Sequence, residues 1–398
     1  MSSFSEPPNK SVDLKPYRFN MDISNEAIRD LKTLLSLSPL PPVTFENSLD
    51  DRKYGITREW LVRTRDYWQD KFDWKQHEAH INTFPNFKLP IKDDDGNDYD
   101  IHFVALFSRK PDAVPLLFLH GWPGSFLEFL PILDILRERY SPETLPYHVI
   151  CPSMPGYGFS TPPRTNRDFA LEDIARMFDR LMGQLGFGAG YIVQGGDIGS
   201  KVGRVITATY DAAKALHINF CIMPEPENPI GDMNEAERKG LERTHDFKTF
   251  NSSYALQHAT KPSTIGAALS ASPLALLAWV GEKFLDWTDD DLPVEQLLED
   301  VSLYWFTNCI ATSLYPYRHL FTPGVIGAHE NPKNYVNKPL GYSWFPQELA
   351  PIPRSWAATT GNLVFYRQHD KGGHFAALEQ PDVLLKDVED FVAQVWKK

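Results

Sequence analysis

The apolar run Ala189-Gly190-Tyr191-Ile192-Val193 leads straight into Gln194-Gly195-Gly196-Asp197-Ile198-Gly199-Ser200. Residues flanking the apex of a sharp strand-to-helix turn must be tiny, because the two backbones touch there. The small-x-Asp-x-small spacing meets that demand and predicts a buried strand, a tight turn and a helix, with Asp197 exposed at the apex. A carboxylate with a reference pKa of about 3.9 is already charged at neutral pH, so it needs no base before attacking an electrophilic carbon. The same pentapeptide also fits an ordinary turn whose aspartate caps a helix.

Two further segments favour the first reading. Val114-Pro115-Leu116-Leu117-Phe118-Leu119 is a buried-strand run that ends in His120-Gly121-Trp122-Pro123-Gly124-Ser125, with helix-like sequence over 126–140. Such a strand, loop and helix can carry an oxyanion hole. Downstream, Asn362-Leu363-Val364-Phe365-Tyr366 is another strand, and Gly372-Gly373-His374-Phe375-Ala376-Ala377 sets a histidine in a glycine-rich loop before the terminal helix. The chain order of nucleophile, acid and histidine is that of the α/β-hydrolases.

Together these segments resemble the epoxide hydrolases, most nearly their microsomal-type and fungal soluble branch. His120-Gly121-Trp122-Pro123 matches the family's oxyanion motif, Gly195-Gly196-Asp197-Ile198-Gly199-Ser200 its nucleophile motif and Gly372-Gly373-His374-Phe375 its histidine motif. The stretch from 17 to about 89, with Trp60, Trp68 and Trp74 at helix-compatible places, looks like the family's N-terminal region. The fold expected is α/β, an α/β-hydrolase fold with a mostly parallel central sheet and helices on both faces, plus an N-terminal arm and an inserted helical cap.

Along the chain, residues 1–90 form the arm, with helical periodicity over 23–37 and 57–72. Residues 91–223 and 337–398 form the two parts of the core, and 224–336 the cap. Asp95-Gly96 is a hairpin signal before a strand over 99–108. The run Asp93-Asp94-Asp95 suggests calcium, but its glycine is out of register with an EF-hand loop beginning at Ile91, so a solvated turn is expected. Strands are expected over 147–154 and 215–223, the first closed by the tight loop Pro155-Gly156-Tyr157-Gly158-Phe159-Ser160. A helix over 202–213 should support the turn at Asp197, aiming its N–H groups at the carboxylate. Pro224-Glu225-Pro226-Glu227-Asn228-Pro229 breaks the α/β alternation, a mostly helical stretch follows, and 339–344 resumes the sheet.

With 398 residues, 42% hydrophobic, the chain can bury a large core. A net charge of −12 argues against nucleic acid and anionic membranes as partners, since both reward basic patches. Cys151, Cys221 and Cys309 are odd in number and lie in apolar contexts, as buried free thiols of a reducing compartment do. No metal-ligand spacing occurs. Met1-Ser2-Ser3-Phe4-Ser5-Glu6-Pro7-Pro8 lacks the apolar core of a signal peptide, and the apolar stretch 265–280 is short for a span and holds Ser270, Ser272 and Pro273. A soluble, cytoplasmic protein is expected, without cofactor or metal.

Three acids could orient His374: Glu348 in Phe345-Pro346-Gln347-Glu348-Leu349, Asp370 beside the histidine loop, and Glu379 beyond it. Glu348 follows a strand end, where hydrolases place this residue, and the family has Phe-Pro-x-acid-Leu there, so Glu348 is favoured. Its role would be to fix the imidazole tautomer and stabilise imidazolium. Opening an epoxide generates an alkoxide, which calls for a donor such as a phenol, protonated at neutral pH. Composition selects none of the 16 tyrosines. The resemblance implies Tyr254, through the Thr260-Lys261-Pro262 that follows it, and Tyr317, followed by Arg318, with Tyr315 a rival for the second place. It also implies an oxyanion hole from the N–H groups of Trp122 and Ile198, with Trp122 and Pro123 against the substrate.

The reaction implied is epoxide to vicinal diol through a covalent ester on Asp197, hydrolysed by water that His374 activates. A haloalkane dehalogenase is the alternative enzyme, but those enzymes usually follow the nucleophile with tryptophan to hold halide, and Ile198 has no side-chain donor. A catalytically silent hydrolase-fold binding protein would not be expected to keep the whole set of site residues. The partner is a small-molecule epoxide whose identity the sequence does not specify, and the resemblance implies a possible homodimer.

Overall fold

Strands buried on both faces read as unbroken apolar runs, and the centre of this sheet is written that way. The computed structural model describes residues 4–8, 16–94, 96–320 and 326–397. Among these, nine strands form one sheet: β1 (Tyr17–Arg18), β2 (Asn86–Lys92), β3 (Asp98–Leu106), β4 (Val114–Leu119), β5 (Tyr147–Pro152), β6 (Tyr191–Gly195), β7 (Ala213–Ile218), β8 (Val336–Trp344) and β9 (Gly361–Gln368). Their spatial order is β1-β2-β3-β5-β4-β6-β7-β8-β9. From β5 to β9 all neighbours are parallel, while β1, β2 and β3 join antiparallel at one edge. Every residue of β4, β5 and β6 is buried.

Successive residues of a strand face opposite sides of a sheet. In β7, Leu216 meets the helix Asp197–Thr209, where a Cβ on Gly203 would come within 2.9 Å of it. The next residue, His217, lies 5.6 Å ring to ring from Phe391 of the terminal helix Pro381–Val395. Helices therefore cover both faces. The helix after β6 begins at Asp197 itself rather than at 202, and β7 begins at Ala213 rather than at 215. The apolar periodicity that marks the helix starts late because its first turn, Asp197-Ile198-Gly199-Ser200, is given over to the turn and its contacts.

Two expected boundaries fall inside strands. The edge of the arm at 90 lies within β2, and the end of the cap at 336 is the first residue of β8. Asp95 of the expected hairpin turn lies outside the described residues, as do Met1, Ser2 and Ser3. The neighbouring acid Asp93 is no solvated turn residue. Its side chain is fully buried and pairs with Arg176 at 2.7 Å and Arg167 at 2.9 Å, so it pins the β2–β3 hairpin to the helix Leu171–Met182. A buried carboxylate is tolerated there because guanidinium groups surround it.

The arm straps the cap to the core. Its helix Arg58–Asp70 starts with Thr57 Oγ1 accepting from Trp60 N–H at 3.1 Å. From that helix Trp68 donates its indole N–H to Ser302 at 2.9 Å in the cap helix Val294–Phe306. Trp60 packs so closely on the cap helix Pro273–Asp286 that a Cβ on Gly281 would lie 2.5 Å from its ring. Trp74 is buried and donates to Glu78 at 3.3 Å. The cap also contains Glu235–Asp246, Ser253–Thr260, Pro262–Ser270 and Pro316–Leu320. No single helix among the described residues is long and apolar enough to cross a membrane, and Pro262–Ser270 and Pro273–Asp286, which pass that test only as a pair, meet at a bend of 117°.

One glycine carries the close approach that the sequence demanded. A Cβ on Gly199 would lie 2.1 Å from the Leu119 carbonyl oxygen, a backbone atom that cannot rotate away, whereas Gly183 has open space around it. Gly199→Ala is expected to destabilise the protein by about 1–3 kcal/mol as an overpacked contact. Gly183→Ala should leave stability unchanged or slightly raised. Equal denaturation midpoints for Gly199→Ala and the wild type would contradict this packing.

Candidate active site

Because β4 and β6 are neighbours in the sheet, the loops that leave them lie side by side at the carboxyl edge. Asp197 stands at the turn after β6 with φ 41°, a left-handed conformation that costs a non-glycine residue about 1–3 kcal/mol. Its Oδ1 accepts a hydrogen bond from Trp122 N–H at 2.9 Å. The loops can meet this way because residue 121 is glycine: a Cβ there would lie 2.2 Å from Oδ1. His120 braces the loop, accepting from Met154 N–H at 3.1 Å with Nε2 while its Nδ1 bonds the Gly121 carbonyl at 3.0 Å. Ile198 is buried in the first turn of the helix, and among the described residues its N–H makes no hydrogen bond to the Asp197 carboxylate.

The loops after β8 and β9 bring in the other two residues. Gln347 N–H donates to the Gly372 carbonyl at 3.0 Å, tying the loop of Glu348 to that of His374. Glu348 Oε1 lies 2.5 Å from His374 Nδ1, and His374 Nε2 lies 3.4 Å from Asp197 Oδ2. Burial works against charge on the imidazole, yet Glu348 and Asp197 outweigh it and push the pKa up to about 10. Burial likewise opposes charge on Asp197, but His374, then Lys201 and the Trp122 N–H, hold its carboxyl below the usual aspartate value. The two rival acids lie elsewhere. Asp370 is exposed, and Glu379 accepts from Asp289 N–H at 2.7 Å and Gly373 N–H at 3.2 Å.

From the cap, Tyr254 and Tyr317 close over Asp197. Their ring centroids are 5.9 Å apart, and Trp122 stacks on Tyr254 at 5.5 Å and meets Tyr317 edge-on at 5.9 Å. Burial raises both phenols well above their ordinary pKa, and the Asp197 charge raises them further. The two hydroxyls influence each other, and among the described residues the buried Tyr317 hydroxyl has no hydrogen-bond partner of normal geometry. Tyr315 lies outside this group, donating its hydroxyl to the Pro155 carbonyl at 3.0 Å and packing on Phe169. Pro123 is buried and follows Trp122 through a cis peptide bond.

Several neighbours carry no sequence signal. Trp287 meets the His374 ring edge-on at 5.1 Å and Tyr254 at 5.2 Å, while its carbonyl accepts from His374 N–H at 2.8 Å. His258 lies 4.8 Å from the Tyr317 ring and accepts from Trp279 at 3.0 Å, and burial lowers its pKa to about 3. Lys283, buried and paired with Glu282, lies 4.7 Å over the Tyr254 ring. Among the described residues no group of three or more His, Cys, Asp or Glu side chains could hold a metal ion.

A buried, ionised carboxylate bonded to a backbone N–H and faced by an imidazole and two phenols can attack carbon while a phenol protonates the oxygen that leaves it. Comparison with known proteins identifies the family. Residues 16–129 match the family described as the epoxide hydrolase N terminus, and residues 114–266 match the alpha/beta hydrolase fold. The structure of Aspergillus niger epoxide hydrolase is 50% identical, covers 99% of this chain and 100% of its own, and superposes with a TM-score of 0.93. That of the juvenile hormone epoxide hydrolase from the silkworm Bombyx mori is 27% identical, covering 99% and 98%, with a TM-score of 0.84. Epoxide hydrolase 1 of Oryctolagus cuniculus is 33% identical over 96% of this chain and 89% of its own. Its sheet, its N-terminal region and its likeness to these relatives over nearly their full length all say the same: the chain belongs to the epoxide hydrolases of the α/β-hydrolase fold.

Proposed function

We propose that this epoxide hydrolase works through a covalent ester on Asp197. The observation that carries the reading is the Asp197 carboxylate, kept ionised between the Trp122 N–H and His374 Nε2 beneath two phenols. In ring opening, a carboxylate oxygen bonds to an epoxide carbon, that carbon's bond to the epoxide oxygen breaks, and Tyr254 or Tyr317 gives the oxygen a proton. In hydrolysis, water adds to the Asp197 carboxyl carbon and gives a proton to His374, which passes it to the departing glycol oxygen. The second water proton restores the phenol, so Asp197 returns as a carboxylate and a vicinal diol leaves. Trp122 N–H, with Ile198 N–H beside it, would stabilise the oxyanion of the second step.

Esterification itself would convert His374 into a base. In the free enzyme both ring nitrogens face carboxylates, which holds the proton on the ring. Esterified Asp197 carries no charge, so one of the two groups holding that proton is gone, and the proton leaves to bulk water, to be regained from it once Asp197 is a carboxylate again. Glu348 then orients the ring by its bond to Nδ1. We further propose that residues 224–336 act as the cap bearing the phenols and that the three buried thiols belong to a reducing compartment.

The test separates the steps. His374→Gln, mixed with excess styrene oxide, is expected to gain one covalent adduct per chain by intact mass, on the peptide containing Asp197, and the adduct should vanish in the Asp197→Ala, His374→Gln double variant. A folded His374→Gln protein that stays unlabelled would overturn the covalent scheme.

Loss of either phenol should slow ring opening, because a general acid contributes about 10²–10⁴-fold. Tyr254→Phe and Tyr317→Phe are each expected to lower the rate of adduct formation by about 10-fold or more, and the double change to come near abolishing it. Tyr315→Phe, whose hydroxyl serves the Pro155 carbonyl, should leave that rate near wild type. Damage by Tyr315→Phe equal to that of Tyr317→Phe would exchange the two assignments.

Acid should trap the ester. Ring opening needs ionised Asp197, whose pKa is held below the usual aspartate value by His374, while hydrolysis needs neutral His374, whose pKa Glu348 still raises. As pH falls from about 8 to 5, hydrolysis slows and ring opening does not, so the esterified fraction of wild-type enzyme at steady state should rise. Quenched samples weighed across that range would show the reverse if the histidine served ring opening instead.

A further inference from the structure

The histidine loop carries three consecutive backbone N–H groups, and all three are taken. Gly372 N–H donates to Asp289 Oδ2 at 2.9 Å, Gly373 N–H to Glu379 Oε1 at 3.2 Å and His374 N–H to the Trp287 carbonyl at 2.8 Å. Trp287 and Asp289 belong to the short stretch that follows the cap helix Pro273–Asp286, and Glu379 closes the one-turn helix Ala376–Glu379 beyond the histidine. These two sides are tied to each other as well, because Glu379 Oε2 accepts from Asp289 N–H at 2.7 Å. Glu379 thus bridges one N–H of the cap and one of the histidine loop.

The contact is close enough to dictate sequence. A Cβ on Gly373 would lie 2.5 Å from the Trp287 carbonyl oxygen and 3.0 Å from both Asp289 N and Glu379 Oε1, so glycine is required there. Gly372 has φ 106°, a conformation that glycine reaches without strain. Neither carboxylate forms an ion pair among the described residues, and both direct their hydrogen bonding at backbone N–H groups. Burial pushes the Glu379 carboxyl up to about 7, its two N–H bonds pulling it down and Asp289 and Glu348 repelling it, so at a pH of about 8 it is ionised and both oxygens can accept.

We infer that Asp289 and Glu379 are positioning residues for His374, their bonds to the Gly372 and Gly373 N–H groups holding the imidazole where it takes the proton of the hydrolytic water. The inference rests on the covalent scheme proposed above. The imidazole hangs from this backbone by its side-chain torsions alone, with Nε2 at 3.4 Å from Asp197 Oδ2 and Nδ1 at 2.5 Å from Glu348. A loop that drifts carries Nε2 away from the carboxyl carbon that water must reach. Ring opening, which takes no proton from His374, does not depend on that placement. Neither Asp289 nor Glu379 gains or loses a proton in the step.

Rapid-quench mass measurement with styrene oxide on the intact chain, at a pH of about 8, tests this. Asp289→Ala and Glu379→Ala should form the adduct at the wild-type rate and lose it at least about 10-fold more slowly, since a misplacement of about 1 Å can cost about 10²-fold. The ester then accumulates, and kcat falls while kcat/KM holds. Asp289→Asn, whose amide oxygen still accepts from Gly372 N–H, should bring hydrolysis back near the wild-type rate. Asp289 is half-buried, so its variants decide the matter even where Glu379→Ala does not fold. Adduct loss at the wild-type rate in Asp289→Ala overturns the inference, and so does equal slowing of both steps, which is the mark of a merely structural role. Hydrolysis as slow in Asp289→Asn as in Asp289→Ala overturns it too, because the charge and not the bond would then be at work. With His374→Gln run alongside, its labelling shows that the covalent scheme stands and that a negative result belongs to the two carboxylates, whereas its failure to label removes the scheme and this inference with it.

Discussion

Keeping a carboxylate charged in a buried site is the constraint on which this structure depends. Burial by itself favours the uncharged form of Asp197, and an uncharged carboxyl could not serve as the nucleophile proposed above. Three groups from different parts of the chain oppose it: His374 after β9, Lys201 in the helix after β6, and the Trp122 N–H after β4. All three converge only because β4 and β6 are adjacent and parallel strands deliver their loops to one edge. The sheet order is thus a condition of the chemistry, and the glycines at 121 and 199 are its steric terms.

The arm and the cap serve the same end from above. Trp287 sits at the end of the helix Pro273–Asp286, and its carbonyl fixes the backbone of His374 while its ring covers the imidazole. That helix is in turn gripped by Trp60, and its neighbour Val294–Phe306 by Trp68. Position is handed from the arm to the cap and from the cap to the histidine. The N-terminal region is therefore linked to the site through the cap helices and not by lining the nucleophile itself.

Legibility in the sequence followed local constraint. Asp197, Trp122 and His374 could be read because each lies beside glycines that the backbone requires, and Glu348 because it follows a strand end. Tyr254 and Tyr317 could not be chosen from 16 tyrosines by spacing, since a cap phenol imposes nothing on its neighbours in sequence, and they were reached only through family resemblance. Trp287, His258 and Lys283 are brought to the site by tertiary folding and leave no local mark. Asp93 looked like one of a solvated run because the arginines that bury it, Arg167 and Arg176, lie more than seventy residues along the chain. The helix start at Asp197 was placed late for a related reason: a turn occupied with a site has no residues free for an amphipathic pattern.

The two halves of the proposed reaction would ask opposite things of water, and two different surfaces meet at Asp197. Ring opening is best served by a surface that offers protons and little water, and the phenols, Trp122 and Trp287 form such a surface on the cap side of Asp197. Hydrolysis would need one water beside the carboxyl carbon, and a small cavity of about 10 Å³ lined by Gly121, Asn219 and His374 lies on the core side of Asp197. Asp197 stands between the two spaces, so on this scheme its ester would present the glycol to one and the carboxyl carbon to the other. Changes to cap residues that do not touch Trp287 can then alter which epoxide is accepted, whereas changes that move Trp287 would reach His374 and the hydrolytic half as well.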